Sequence, residues 1–198
     1  MPSLEAVCVR LFSKSGWIPK VILGGALSFV PVLNLFALGY LLVYARGLRH
    51  SPLIDLPEWS DMDWPRLLID GLRFFGLLAL YVGCPLLLGW TVSLILFFLT
   101  FGILGVVAYF PLAICGFLGP VFFLSALGAY LGRDCYRDAF NIRLVLEESL
   151  TMWKFLALPV ICFWGIFLLA LPLYGFSFFL GVWVLIAYYA SLRSRTSS

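Results

Sequence analysis

Few side chains in this sequence could do chemistry, and most of them lie in two short charged stretches. Glu58, Asp61 and Asp63 sit close enough together to hold a divalent cation beside lipid phosphates. Such a site needs converging oxygens and, for magnesium, near-octahedral geometry. No glycine-turned calcium loop accompanies them, and a helix cap with solvated loop charges accounts for the same residues. Glu147 and Glu148 are adjacent, so on a helix their side chains diverge by about 100° and do not meet at one substrate. Glu147 fits better as the partner of Arg143. His50 is a general base only if a partner orients it, and the neighbouring Arg46 and Arg49 are not such partners. Cys8, Cys84, Cys115, Cys135 and Cys162 form no C-x-x-C pair and no metal-ligand spacing, so neither a zinc site nor a disulfide framework is expected. Arg46, Arg49, Arg133 and Arg137 could contact lipid headgroups, since basic residues at a cytoplasmic surface attract anionic lipid at about 1 kcal/mol each. Nucleophile, base and oxyanion groups stand in no recognisable constellation. The residues therefore assign no catalytic group, no metal and no cofactor.

The background explains why so little chemistry is on offer. The chain is 63% hydrophobic and 12% charged, about half the charge of a soluble domain, with a mean hydropathy of +1.06. Glutamine is absent and asparagine occurs only at Asn34 and Asn141. Three stretches carry no charge at all: Val21 to Ala45, Phe74 to Gly132 and Phe155 to Leu192. A spanning helix needs roughly 20 apolar residues, and no soluble core explains an uncharged run of 59. The composition predicts an all-α polytopic membrane protein and gives no reason to expect a nucleic-acid partner.

The elements follow from these runs. The chain reads as one integral membrane domain over 1–198, with membrane segments near 21–45, 74–99, 106–132, 155–171 and 174–192. Charged connectors occupy 46–73 and 133–154. The 59-residue run fits two helices returning near Thr100 to Pro111, and the last run turns at Leu171 to Gly175, where Pro172 and Gly175 break the pattern. The two connectors and the tail then share one side and hold ten of the thirteen Lys and Arg residues, while the far turns hold none. By the positive-inside rule that side is cytoplasmic. The stretch before Val21 carries Glu5 among its cations and is read as retained rather than as a signal peptide. Val21 to Ala45 has two readings. It is either one kinked spanning helix, or a re-entrant hairpin folded at Pro31 to Asn34 that keeps all thirteen cations on one side. In both, the elbow must be buried against protein.

The stretch Leu56 to Gly71, LPEWSDMDWPRLLIDG, is rigid, aromatic and acidic inside this greasy chain. Asp63 is a natural N-cap, and Pro65 is tolerated in a first turn because its missing N–H would lack a partner anyway. Arg66, Asp70 and Arg73 recur as a polar stripe opposite Leu67, Leu68, Ile69 and Leu72, with Arg66 and Asp70 spaced as a helix ion pair. Trp59 and Trp64 are amphipathic rings suited to the membrane interface. The expectation is an interfacial elbow whose helix runs along the surface and turns down at Phe74. An echo supports a parallel internal repeat. Arg66-Leu-Leu-Ile-Asp70 recurs as Arg143-Leu-Val-Leu-Glu147, and Leu78-Ala-Leu-x-Val82-x-Cys84 as Leu156-Ala-Leu-x-Val160-x-Cys162. The offsets are 77 and 78, so one inserted residue is expected between the matches, with the second chain turning inward at Phe155. Gly128-x-x-x-Gly132 marks a close helix approach, within the monomer by default and otherwise in a homo-oligomer.

Gly39-Tyr40-Leu41-Leu42, then Leu56-Pro57-Glu58-Trp59, Asp63-Trp64 and Asp70-Gly71-Leu72, resemble domain-of-unknown-function family 4013 of bacteria and archaea. Arg137-Asp138-Ala139-Phe140 with Val145 and Glu147 is similar to that family's second half. The resemblance covers nearly the whole chain and implies an integral protein of the bacterial or archaeal cytoplasmic membrane. It brings no activity, cofactor or catalytic residue. Three classes of function are open. A non-enzymatic scaffold or accessory subunit would have membrane lipids and other integral membrane proteins as partners. A carrier of a hydrophobic or lipid substrate is the second, disfavoured because coupled transporters place ionisable groups within the membrane. A lipid-modifying enzyme is the third. The first is expected by elimination, with the C-terminus cytoplasmic.

Overall fold

A computed structural model describes residues 3–13, 16–50, 55–133 and 135–196, apart from the side chains of 50, 133, 195 and 196. The candidate His50 and Arg133 side chains therefore lie outside the described residues. Every regular element among the described residues is helical. Five helical stretches are long and apolar enough to cross a membrane: Pro31–Arg49, Trp64–Leu99, Gly105–Gly132, Ile142–Leu169 and Leu171–Ser194. The chain is an all-α polytopic membrane protein, as the composition predicts. It divides into two compact units, Met1–Phe75 with Ile161–Ser198, and Gly76–Val160.

The first unit opens with α1 (Leu4–Ser13), whose first turn is capped by the Ser3 hydroxyl accepting from Ala6 N at 3.1 Å. Next come α2 (Trp17–Leu27) and α3 (Pro31–His50). The break between them falls at Ser28 to Val30, three residues earlier than the sequence suggests. Pro31 is the first residue of α3, where its missing N–H costs nothing. The arms are unequal, and the elbow is not buried as expected: Asn34 Oδ1 is enclosed, but Pro31, Val32 and Leu33 are exposed. A single turn of 3-10 helix, Trp59–Asp61, leads into α4 (Trp64–Leu78). The unit is completed by the end of α7 (Ile142–Leu169) and by α8 (Tyr174–Thr196).

The second unit is built on α5 (Cys84–Leu99), α6 (Phe110–Arg133), a 3-10 segment Tyr136–Phe140 and the start of α7. Between α4 and α5 the helix widens into a π segment over Ala79–Gly83. Pro85 causes this, because it has no N–H to return to the Tyr81 carbonyl four residues back. The segment is pinned by the Tyr81 hydroxyl, which donates to the Ala139 carbonyl at 2.5 Å. On α6, Gly119 lets the helix pass close to it, since a Cβ there would stand 3.1 Å from the Tyr81 oxygen.

The helix does not break at Phe74 or at Phe155. Hydrogen-bonded helix runs without interruption from Trp64 to Leu99 and from Ile142 to Leu169. With neither bend present, what the two helix starts share is a burial pattern. Asp63 and Asn141 each offer the carbonyl that receives the first helical N–H, from Leu67 at 2.9 Å and Val145 at 3.1 Å. Leu67, Gly71 and Phe74 are buried, as are Val145, Ser149 and Met152. Each pair is 78 apart, the same offset as Cys84 and Cys162. The two arginines match at 77, so the burial pattern and the identities do not share one offset.

Candidate functional site

The motif residues of 39–42 and 56–71 converge on one cluster in the first unit, buried at Tyr40, Trp59, Leu67 and Asp70. Lys20 on α2 reaches into it, donating from Nζ to the Leu56 carbonyl at 2.7 Å and pairing with Glu58 Oε1 at 2.6 Å. The Trp59 indole returns a hydrogen bond to the Lys20 carbonyl at 3.3 Å. On α3 the Tyr40 ring lies flat on Trp59, centroids 4.0 Å apart and planes 8° from parallel, while its hydroxyl donates to the Pro57 carbonyl at 2.7 Å. Pro57 favours extended backbone in Leu56 before it, which leaves the 56 and 57 carbonyls free of helix bonds and available to Lys20 and Tyr40. Tyr40 is fully buried and Trp59 only 9% exposed. Trp64 continues the stack, 6.2 Å from Trp59 and edge-on to Phe36 at 5.4 Å.

A second layer joins α3 to α4. Arg46 grips Asp70 with both terminal nitrogens, and Arg73 also reaches Asp70, at 3.4 Å. Two glycines allow the approach. A Cβ on Gly39 would fall on the Leu67 carbonyl oxygen, and one on Gly71 would fall on the Leu35 carbonyl oxygen. Backbone meets backbone here, so no side chain could move aside.

Several expectations change. Trp59 is packed within the first unit, 9% exposed, whereas Trp64 is 47% exposed. The polar stripe of α4 is split: Asp70 turns inward with Leu67, Gly71 and Phe74, and Arg66 and Arg73 stay outside among Ile69 and Leu72. Arg66 therefore pairs with Asp63 at 3.1 Å instead of with Asp70. Arg143 pairs with Glu147 at 2.9 Å, as the spacing predicts. Arg46 is committed to Asp70, while Arg49 and Arg137 are exposed. Gly128 is buried and Gly132 exposed. Besides Gly39 and Gly71, close approach is made by Gly175, whose Cβ would stand 2.6 Å from the Gly25 carbonyl oxygen. The sequence signal for these pairs was weak, because no small-x-x-x-small spacing links them.

Chemically the cluster is a set of closed interactions between neighbouring segments. Among the described residues no three His, Cys, Asp or Glu side chains are grouped to hold a metal ion. No family model matches the chain, and neither a curated protein nor a solved structure matches it.

Proposed function

We propose that this chain is a non-enzymatic scaffold or accessory subunit of a membrane-protein complex. It resides in a bacterial or archaeal cytoplasmic membrane with both charged connectors and its C-terminus in the cytoplasm. Its partners are membrane lipids and other integral membrane proteins. One observation carries this reading: the polar groups of the motif cluster are spent on the chain itself. Lys20, Tyr40, Arg46, Glu58 and Asp70 each close on a neighbouring segment. A substrate site must instead present its polar groups to the ligand. The side assignment is supported by the distribution of ten cations to none across the hairpins.

Purification of the full chain from its native membrane in a gentle detergent tests the role. A co-purifying integral membrane protein in fixed stoichiometry is expected. A monodisperse chain that carries one enriched lipid and no protein would overturn the scaffold reading in favour of a lipid carrier or lipid-modifying enzyme.

A further inference from the structure

We infer that the first unit is a half-inserted wedge: the α2–α3 hairpin and the α7–α8 turn dip into one leaflet and return, without crossing. The inference rests on the membrane placement of the chain and is independent of the scaffold reading.

The depth follows from where the charged connector is tied. Tyr40 holds Pro57 and Trp59, and Lys20 holds Leu56 and Glu58. From Tyr40 back to Pro31 is nine residues, or about 14 Å of helix, and from Lys20 forward to Ser28 is eight, or about 12 Å. Two helices thus place the hairpin tip at nearly the same height above the connector. A hydrocarbon core is about 30 Å thick. If the tip reached the far side, the connector would lie at mid-membrane. There Glu58, Asp63 and Arg66, with side chains 63%, 53% and 85% exposed, would face acyl chains, an arrangement that membranes do not tolerate. With the connector at the water interface, the tip ends near the bilayer centre.

The distribution of apolar side chains agrees. Above the connector the apolar surface is open: Ile22, Val32 and Leu33 on the hairpin, and Leu171 and Leu173 on the α7–α8 turn, are all exposed. Below it, Leu41, Leu42, Tyr44, Ala45 and Leu48 on α3 are buried, and so is nearly all of Val182 to Leu192 on α8. A helix in lipid shows apolar side chains outward, whereas one in water hides them. The two tips lie side by side, because Tyr174 donates to the Phe29 carbonyl at 3.0 Å and their rings meet edge-on at 4.8 Å. The occupant of the open surface is the acyl region of a single leaflet.

Spin labels at Val32, Leu173 and Asp61 test the depth, in a full chain whose native cysteines are replaced by alanine and which is reconstituted in phosphatidylglycerol–phosphatidylethanolamine vesicles. Val32 and Leu173 are exposed, so a label there displaces no packing. High oxygen accessibility and low accessibility to a water-soluble nickel relaxer are expected at both, with the reverse at Asp61. Nickel accessibility at Val32 and Leu173 matching a far headgroup position would overturn the wedge. Val32→Lys gives a second readout without cysteine replacement. At the bilayer centre it should reduce membrane-inserted yield several-fold, while Asp61→Lys leaves yield unchanged. Wild-type yield for Val32→Lys would place that residue at a water interface and overturn the inference.

Discussion

The guanidinium of Arg46 on α3 clasps the Asp70 carboxylate on α4 with two parallel hydrogen bonds, Nη1 to Oδ2 at 2.5 Å and Nη2 to Oδ1 at 2.9 Å. The Asp70 side chain is 11% exposed and that of Arg46 is 30% exposed. Removing one partner of a sheltered pair leaves the other charge uncompensated, which costs more than the pair itself contributes. Asp70→Ala is therefore expected to lower the Tm of the detergent-solubilised chain by several degrees. Arg66→Ala, which removes an exposed pair with Asp63, should leave Tm within about 1 °C, since such pairs contribute about 0–1 kcal/mol. In a double-mutant cycle Arg46→Ala and Asp70→Ala should be strongly non-additive. Additive losses would mean that the bidentate contact contributes nothing.

Gly39→Ala and Gly71→Ala are expected to be the most damaging single-methyl additions in the first unit. Each methyl would meet a carbonyl oxygen of the opposing helix, and rigid backbone relieves such overpacking only by moving α3 away from α4. Gly165→Ala is the internal control. A Cβ there meets nothing within 4 Å, and alanine is the better helix former by about 1 kcal/mol. Thermal denaturation should show a lower Tm for the first two variants and an unchanged or higher one for the third. Equal behaviour of all three would remove the backbone contact from the account.

Tyr40→Phe keeps the ring on Trp59 and deletes only the hydrogen bond to Pro57, so a loss of about 1 kcal/mol is expected. Trp59→Ala removes a buried aromatic anchor and its bond to Lys20, with an expected loss of about 3–5 kcal/mol. Limited proteolysis of the connector offers a local readout. Cleavage near Asp61 should accelerate greatly in Trp59→Ala and modestly in Tyr40→Phe. Unchanged cleavage in both would show that the connector is held by other contacts.

Cysteine chemistry separates burial from sidedness. Burial pushes the Cys8 thiol above its ordinary value of 9.0, and the neighbouring Cys162 adds to the effect. The thiolate is the reactive form, so at pH 7 Cys8 should alkylate far more slowly than the exposed Cys135. Its rate should still be rising with pH above 9.0. In intact cells a membrane-impermeant maleimide should leave Cys135 unlabelled until the inner membrane is opened. Labelling of Cys135 from outside would overturn the proposed sidedness.

The class of the protein was fully legible in the sequence. Uncharged runs of this length leave a chain no alternative to membrane helices, because backbone polar groups in hydrocarbon must be satisfied within the segment. The start of α4 behind Asp63 and the Arg143–Glu147 pair were also legible, since caps and i,i+4 pairs are local. The role of Asp70 was not. Its spacing places it on a stripe with Arg66 and Arg73, but its burial depends on Arg46, 24 residues away, arriving on another helix. The burial of Trp59 was illegible for the same reason: an amphipathic ring does not record that Tyr40 will lie flat on it. Phe74 and Phe155 mark where hydropathy changes, yet a helix whose hydrogen bonds continue has no cause to break there. The shared burial pattern at an offset of 78 was also hidden from reading by identity, because the arginines match at 77. Local propensity and composition thus determined the helices. Tertiary structure alone decided which polar groups are neutralised inside, because that depends on partners distant in sequence.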